Sequence, residues 1–291
     1  MAEQQVDRWT SGSAYERYMG RWSRIVAHEF LAWLDRADGL RWLDVGCGTG
    51  ALSSVVTERC GPGRLVGCDR STDFVSTAAT RAEEFVRPAA TRAEEFVSKA
   101  TARTKTPVPH PPRFVVADAC ALPVRDGVFD VAVSGLTLNF IPEPALAVRE
   151  LIRAVRPGGL VAAYVWDYGA GMGLLRHFWD AATATDPAAT ALDEGRRFPD
   201  CRPESLHSLW TDAGLTAVST TPIDAPTHFT DFADLWDPFL SGQGPAPGYV
   251  ASLAPPARDR LRDTLRTRVP TAPDGSIRLT ARAWAVRGIR A

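Results

Sequence analysis

Apolar residues recur along the chain in short runs, separated by longer stretches with helical periodicity. Seven runs have the length and composition of strands: 41–46, 64–69, 113–118, 129–135, 158–166, 214–223 and 276–289. The first five are nearly continuous in apolar character, which is typical of strands buried on both faces of a parallel sheet. Alternation of strands and helices requires right-handed crossovers. The pattern therefore predicts a Rossmann-like, doubly wound α/β fold with a seven-stranded, mostly parallel sheet.

The helical segments predict how the sheet is covered. Residues 143–159 predict a helix that ends at Pro157 and two glycines, with Leu146, Leu151 and Val155 on one face. Two further helical segments, 14–34 and 224–275, lie outside the sheet pattern. Ligands of open α/β sheets bind beyond the carboxyl ends of the strands. We therefore expect these two segments to form a helical cap over such a site.

These elements predict one domain over residues 1–291. Its parts are an N-terminal helical cap (1–38), a sheet core (39–223 and 276–291) and a cap insert (224–275).

Composition limits the class of protein. Apolar residues make up 45% of the chain and the net charge is −1, which is typical of a globular protein and gives no general attraction for nucleic acid. The arginine-rich stretch 258–268 carries interleaved aspartates and Leu261 and Leu265 at helical spacing, which predicts a surface helix. No apolar run approaches the roughly 18 residues that cross a bilayer, and the polar N-terminus lacks a signal-peptide core. We expect a cytoplasmic protein with no membrane or nucleic-acid partner; whether it forms a homodimer stays open.

The cysteines do not indicate a metal site. There are five of them, an odd number, and no pair has CxxC spacing. We expect buried thiols and no metal.

The segment RWLDVGCGTGALS (41–53) ends a strand in a glycine loop, which is typical of a nucleotide-like ligand. A P-loop needs a Lys followed by Ser or Thr after its last glycine, but Gly50 is followed by Ala51 and Leu52. The spacing of Gly46, Gly48 and Ala51, with Asp69 further on, also fits a dinucleotide loop. However, Asp44 stands two residues before Gly46 and would repel a pyrophosphate. A ligand with cationic groups and no phosphate, such as S-adenosylmethionine, fits better.

Five segments in succession resemble the motifs of class I S-adenosylmethionine-dependent methyltransferases: LDVGCGTG, GCDRST, ADACALPV, FDVAVSGLTLNFIPEP and RAVRPGGL. The resemblance covers residues 41–166. It implies S-adenosylmethionine as cofactor, S-adenosylhomocysteine as product, and a set of cofactor contacts. In that set, Gly46, Cys47 and Gly48 contact the methionine end, Asp69 the ribose, Arg70 the adenine face, Asp118 and Ala119 the adenine edge, and Ser134 the mouth of the site.

The cap residues predict the acceptor. Tyr18, Trp22, Ile25 and Glu29 share one stripe of the first helix, and Arg24 lies on a basic stripe that could pair with the cofactor carboxylate. An aromatic stripe is also typical of core packing, so both interpretations stay open. We expect an aromatic small molecule, with six predicted acceptor contacts: Tyr15, Trp22, Asn139, Trp166, Trp236 and Phe239.

The segment AATRAEEFV, present at both 78–86 and 89–97, resembles, together with the aromatic cap, methyltransferases that act on carbon 3 of an indole in alkaloid biosynthesis. Methylation there builds positive charge on the ring nitrogen, so a base near that N–H would stabilise the transition state. Glu29 is the predicted base and Tyr18 its predicted catalytic neighbour; His207 and His228 are weaker candidates. O- or N-methylation of another small molecule, and cofactor binding without catalysis, are the alternatives. A short-chain oxidoreductase is disfavoured because the chain has only two lysines, Lys99 and Lys105, and no Tyr-x-x-x-Lys pair.

A nine-residue segment, AATRAEEFV, occurs twice, at 78–86 and at 89–97. Its offset of 11 residues makes nearly three helical turns and preserves one apolar face. The sequence leaves two interpretations: an extended lid beside the cofactor, or a tandem duplication that the surface tolerates.

Overall fold

The computed structural model describes residues 20–83, 111–242 and 244–291. The seven predicted strands are all present: β1 (Arg41–Val45), β2 (Arg64–Asp69), β3 (Arg113–Val116), β4 (Phe129–Gly135), β5 (Val155–Trp166), β6 (Leu215–Phe229) and β7 (Ile277–Arg290). The helices are α1 (Arg21–Leu34), α2 (Ala51–Cys60), α3 (Pro144–Ala154), α4 (Gly173–Thr185), α5 (Glu194–Arg197), α6 (Pro203–Asp212), α7 (Phe232–Trp236), α8 (Pro245–Ser252) and α9 (Pro255–Arg268). A further helix begins at residue 72 and is described to residue 83. Short 3₁₀ turns cover Leu138–Phe140, Pro187–Leu192 and Asp237–Ser241.

The strands form one seven-stranded sheet in the order β3-β2-β1-β4-β5-β7-β6. The pairs β1–β2, β1–β4 and β2–β3 are parallel. Between β6 and β7, side-chain hydrogen bonds join Thr216 to Ile289 and Ser219 to Arg287, so these two strands run antiparallel. The predicted Rossmann-like, mostly parallel sheet is confirmed. The order reverses between β1 and β4, and ligands of such sheets bind at this switch point.

The burial of the central strands explains why their sequence pattern was informative. In β1, Trp42, Leu43 and Val45 are almost completely buried, as are Val131, Ala132 and Val133 in β4. Strands covered on both faces have no solvent-facing positions for polar residues. Asp44 is the exception in β1, because it is an acidic residue that is fully buried.

The predicted helix over 143–159 is too long at its C-terminus. Helix α3 ends at Ala154, and Val155 is already extended and begins β5. The guanidinium group of Arg290 donates hydrogen bonds to the carbonyls of Ile152, Arg153 and Val155. These bonds satisfy carbonyl groups that a helix end leaves unpaired. Pro157 therefore lies within the strand and does not end the helix.

The insert after the sixth strand also begins later than its sequence indicates. Strand β6 continues to Phe229, because positions 223, 225, 227 and 229 alternate as buried residues with exposed ones between them. Helix α9 is present as predicted, with Leu261 and Leu265 fully buried. Tyr15, Tyr18 and the second AATRAEEFV copy lie outside the described residues.

The chain divides into two compact units. The first, called here the glycine-loop unit, comprises Ala27–Ala163, Leu209–Ser219 and Arg287–Ala291. The second, called the aromatic unit, comprises Met1–Val26, Tyr164–Ser208 and Thr220–Val286. The predicted division into cap and core, 1–38, 39–223 with 276–291, and 224–275, stays a prediction.

Within the described ranges, no helix combines the length and apolarity that crossing a membrane requires. The same residues hold no group of three or more His, Cys, Asp or Glu side chains placed to ligate a metal ion.

Candidate cofactor site

The glycine loop follows β1 and is bound tightly to the end of β2. The N–H groups of Gly46 and Cys47 both donate to the carbonyl of Cys68, at 2.8 and 2.9 Å. Gly46 and Gly48 have φ angles of 73° and 53°, in the left-handed region that favours glycine. A Cβ atom at Gly48 would meet no atom within 4 Å, so the loop is open on that side. A ligand can approach the backbone there.

Asp69, the last residue of β2, organises this loop. Its Oδ2 accepts a hydrogen bond from the N–H of Gly48 at 3.1 Å, and its Oδ1 accepts one from Ser71 at 2.9 Å. The side chain is half-buried. A carboxylate has about four lone-pair sites, so two remain for a ligand. Asp69 thus combines a structural role in the loop with free capacity to accept hydroxyl groups.

Asp44 lies beneath the loop and is completely buried. Its Oδ2 accepts a hydrogen bond from the hydroxyl of Ser53 in α2 at 2.6 Å. Its Oδ1 finds no hydrogen-bond partner among the described residues. Burial, which disfavours the charged form, raises the pKa of Asp44 to about 7. A cation bound at the loop would favour the carboxylate form of this residue.

Because a bound cation favours the carboxylate form of Asp44, we expect the cofactor affinity to depend on pH. Asp44 is protonated below a pH of about 7 in the free protein, and a cationic ligand stabilises its ionised form. The affinity for S-adenosylmethionine should therefore rise as the pH is raised to about 7, by up to about tenfold per pH unit, and level off above it. Calorimetric titration between pH 5.5 and 8 measures this. Asp44→Asn, which cannot ionise, should flatten the profile; an equal slope in that variant would contradict the assignment.

The residues after β4 form the other side of the loop, and one of them was missed by the sequence analysis. Thr137 donates its hydroxyl hydrogen between the carbonyls of Gly46, at 2.9 Å, and Gly135, at 3.0 Å. Gly46 lies 91 residues before Thr137, directly after β1, so no local pattern could reveal that contact. Thr137 also precedes the 3₁₀ turn Leu138–Phe140.

Ser134 and Asn139 carry polar side-chain atoms that are buried without a partner. The Ser134 hydroxyl and both the oxygen and the nitrogen of the Asn139 amide lack hydrogen bonds within the described part of the chain. An unsatisfied buried polar group costs about 1–3 kcal/mol, so such groups in a native fold need an explanation. The usual explanation is that an ordered water molecule or a ligand pairs with them.

The helix over residues 72–83 holds the loop from a third direction. The guanidinium of Arg81 donates to the hydroxyl of Thr49 at 2.9 Å, and Ala78 would lie 3.2 Å from a Cβ at Gly50. Ala78 and Arg81 belong to the first AATRAEEFV copy. The first copy thus packs on the glycine loop, while the lid interpretation of 78–97 depends on residues outside the described ones and stays a prediction.

The predicted adenine contacts lie further along the same edge of the sheet. Asp118 is exposed, and its Oδ1 accepts a hydrogen bond from the N–H of Cys120 at 2.8 Å. Arg70 is exposed and Ala119 is half-buried, whereas Cys47 is only 6% exposed. Burial raises the pKa of the Cys47 thiol well above its ordinary value, which makes it an unreactive thiol at the loop.

Most of the predicted acceptor residues are buried side chains of the aromatic unit. Trp22 contacts Phe229 edge to face, with ring centroids 5.7 Å apart, and Phe239 stacks on Phe178 at 4.3 Å. Trp166 and Trp236 are also buried. These contacts are those of a packed aromatic core. The acceptor roles of Trp22, Trp166, Trp236 and Phe239 stay predictions.

The residues of the predicted stripe on the first helix differ in their exposure to solvent. Trp22 is 3% exposed, whereas Ile25 is 37% exposed and Glu29 is also exposed. Arg24 is half-buried. The catalytic role of Glu29 and the carboxylate contact of Arg24 stay predictions.

The aromatic unit also contains a buried acid that the sequence analysis missed. Glu194 is 2% exposed and accepts a hydrogen bond from the indole N–H of Trp179. Burial raises the pKa of Glu194 to about 7. The neighbouring Asp193 pairs with Arg176. No periodicity distinguishes Glu194 from a surface glutamate, because its helix is a single turn.

The glycine-loop residues fit S-adenosylmethionine, the cofactor that the sequence resemblance implies. The loop is open at Gly48, and one carboxylate oxygen of Asp44 has no hydrogen-bond partner among the described residues. Asp69 keeps lone pairs that can accept hydroxyl groups. No lysine follows the loop to receive phosphates. Gly46, Cys47 and Gly48 would hold the methionine portion and Asp69 the ribose.

Comparison with known proteins gives the same assignment for this region. Residues 43–163 match the family model described as a methyltransferase domain. The chain is 25% identical over 151 residues to a malonyl-[acyl-carrier protein] O-methyltransferase of Marinomonas sp., covering 52% of this chain and 47% of that protein. It is 29% identical over 136 residues to a ubiquinone/menaquinone biosynthesis C-methyltransferase of Ruegeria sp., covering 47% and 46%. The chain thus spans about half the length of these curated relatives.

Solved structures share the fold over more of the chain. The YcgJ protein of Bacillus subtilis superposes with a TM-score of 0.55 at 15% identity, covering 91% of this chain and 97% of that one. At this identity the likeness concerns the fold alone. Residues 43–163 thus match a methyltransferase domain model, and the seven-stranded fold that contains them is shared with this solved structure.

Proposed function

We propose that the protein transfers a methyl group from S-adenosylmethionine to an aromatic small molecule. The observation that carries the proposal is the glycine loop, with a buried Asp44 of raised pKa beneath it and Asp69 bonded to the N–H of Gly48. This arrangement suits a ligand that has cationic groups and a ribose but no phosphate. A dinucleotide would bring two phosphate charges close to Asp44.

The cofactor, when bound, supplies a methyl group already activated on a sulfonium. The protein therefore needs to align the acceptor and to exclude water, more than to activate a leaving group. Asp69 and the loop fix the cofactor, and the acceptor must meet polar groups beyond β4. Asn139 offers both a donor and an acceptor there, and neither has a partner within the described chain.

For the acceptor we propose an indole that is methylated at carbon 3 in secondary metabolism. The support is the resemblance of the sequence to the indole carbon-3 methyltransferase of physostigmine biosynthesis. A carbon acceptor also agrees with the C-methyltransferase activity in the name of the Ruegeria relative. In this reaction carbon 3 would take the methyl group as the bond from that methyl group to the donor sulfur breaks, with S-adenosylhomocysteine as the leaving group. Positive charge develops on the ring nitrogen and is removed when the N–H proton leaves. The Asn139 oxygen can accept that N–H, and Glu29 or water can take the proton.

The alternative is O- or N-methylation of another small molecule, of which the name of the Marinomonas relative favours O-methylation. A hydroxyl acceptor would use Asn139 as hydrogen-bond donor or acceptor without the charge on a ring nitrogen. The two chemistries differ in the atom that gains the methyl group.

The purified protein should convert S-adenosylmethionine to S-adenosylhomocysteine in the presence of a 3-substituted indole, and the product should gain one methyl group on carbon. Mass spectrometry and NMR measure both. A phenol and a hydroquinone serve as parallel acceptors: turnover only with these would replace the indole by an oxygen or quinone-type acceptor. Cofactor binding without turnover of any acceptor would favour the non-catalytic alternative.

Asn139→Leu, close in volume, should raise the KM for the indole about tenfold because a buried N–H then loses its partner. Its affinity for S-adenosylmethionine should stay within about twofold of wild type. Glu29→Gln tests the base separately, and a fall in turnover of roughly 10²-fold would support its role. Unchanged kinetics in Asn139→Leu would remove this residue from the acceptor site.

A further inference from the structure

Thr137 makes contacts that connect two functional segments of the glycine-loop unit. Its hydroxyl lies 2.9 Å from the carbonyl of Gly46 and 3.0 Å from that of Gly135. It therefore bonds the first residue of the glycine loop and the last residue of β4 at once. The methyl group and Cβ of Thr137 also fill the space in which a side chain at Gly46 would lie.

The backbone around Thr137 is held in an unfavourable conformation. Leu136, directly before it, has a φ of 57°, although it is not a glycine. Such a conformation is unfavourable for a residue with a side chain and persists only where the surroundings over-determine it. Here the surroundings are the two hydrogen-bonding distances and the steric contact of Thr137 with Gly46.

Thr137 also begins the turn that carries Asn139. The N–H of Phe140 donates to the carbonyl of Thr137 at 2.9 Å and closes the 3₁₀ turn Leu138–Phe140. Asn139 is the middle residue of that turn, and its amide atoms are those left without partners. A shift of Thr137 relative to Gly46 would therefore displace the Asn139 side chain.

We propose that Thr137 is a positioning residue that couples cofactor binding at the glycine loop to acceptor binding at the Asn139 turn. The coupling works in both directions, because linkage between two binding sites is reciprocal. When a ligand fixes Gly46, the Thr137 hydroxyl fixes the turn, and the Asn139 amide is then preorganised for the acceptor. This inference rests on the proposed methyltransferase function.

The test compares two variants that each remove one property of Thr137. Thr137→Val keeps the branched shape and removes the hydroxyl, whereas Thr137→Ser keeps the hydroxyl and removes the methyl group. The affinity of a 3-substituted indole is measured by calorimetry with and without saturating S-adenosylhomocysteine, which prevents turnover. We expect S-adenosylhomocysteine to tighten indole binding in the wild type.

In Thr137→Val this tightening should shrink towards a ratio of one, and the affinity for S-adenosylhomocysteine should fall about threefold to tenfold, the range of one lost hydrogen bond. Thr137→Ser should restore most of the coupling. Steady-state kinetics should show a raised KM for the indole in Thr137→Val even at saturating cofactor. A purely structural role would lower the melting temperature of both variants alike and would not separate Val from Ser.

Thr227→Val is the matched control, because the Thr227 hydroxyl is buried in the aromatic unit and has no hydrogen-bond partner in the described chain. It should leave the coupling ratio unchanged. A Thr137→Val protein with wild-type coupling would overturn the inference while leaving the methyltransferase function intact. A wild-type protein that does not bind S-adenosylhomocysteine would overturn the proposed function, and this inference with it.

Discussion

Asp69→Ala is expected to weaken S-adenosylmethionine binding by at least about tenfold. The carboxylate of Asp69 accepts hydrogen bonds from the N–H groups of Gly48 and Ser71, at 3.1 and 2.9 Å, and keeps two further lone-pair sites for ligand hydroxyl groups. Each hydrogen bond from a ribose hydroxyl to a carboxylate contributes about 1.5–3 kcal/mol. The variant loses these bonds and also releases Gly48 from its present position. Isothermal calorimetry at pH 7.5 measures the change directly.

Asp73→Ala is the control for this prediction. Asp73 is an exposed carboxylate four residues after Asp69, so its removal changes the net charge equally without touching the glycine loop. Its affinity should match the wild type. Equal affinities in Asp69→Ala and the wild type would remove Asp69 from the cofactor site. Binding of NADH in the same assay would instead revive the oxidoreductase interpretation.

The central strands of the sheet were predictable because they are buried on both faces, whereas the edge strand β3 is largely exposed. A strand such as β1 tolerates almost no polar residue, so its limits appear directly in the sequence as the limits of an apolar run. Asp44 breaks that run, and a charged group at a buried position indicates function more than packing. The glycine loop was predictable for a similar reason, since Gly46 and Gly48 adopt positive φ angles that other residues rarely adopt.

Contacts between segments that are distant in sequence were not predictable. The hydrogen bond from Thr137 to Gly46 spans 91 residues, and that from Arg81 to Thr49 spans 32. The sequence around Thr137 and around Arg81 contains no pattern that identifies these hydrogen-bond partners. The end of α3 was misplaced for the same reason: Arg290, from the last strand, binds the carbonyls at its C-terminus. A tertiary contact there outweighed the local signal of Pro157.

The aromatic residues show a different limit of sequence reasoning. Periodicity places Trp22 and Glu29 on one stripe of α1, yet Trp22 is buried and Glu29 is exposed. Periodicity shows which side of the helix a residue lies on. It does not show how much of the helix length the neighbouring elements cover. Tertiary packing decides the burial of each turn, so a stripe alone cannot distinguish a packed core from the wall of a binding site.

Gly46→Ala is expected to have the largest effect of any single methyl addition at the site. Gly46 has a φ of 73°, and a Cβ there would overlap the Cγ2, Oγ1 and Cβ atoms of Thr137. The left-handed conformation alone costs an alanine roughly 1–2 kcal/mol. The overlap adds to that cost and must displace the turn after β4. We expect S-adenosylmethionine affinity to fall by at least about a hundredfold, with a lower melting temperature.

Gly39→Ala separates the cost of the positive φ angle from the cost of the overlap with Thr137. The φ angle of Gly39, 79°, is close to that of Gly46, but a Cβ at Gly39 would meet no atom within 4 Å. This variant should lose stability through the backbone term alone and keep its cofactor affinity. In the double variant Gly46→Ala/Thr137→Gly the overlapping atoms are gone, so part of the lost affinity should return. If Gly46→Ala binds the cofactor as well as Gly39→Ala does, the contact between Thr137 and the glycine loop does not control the site.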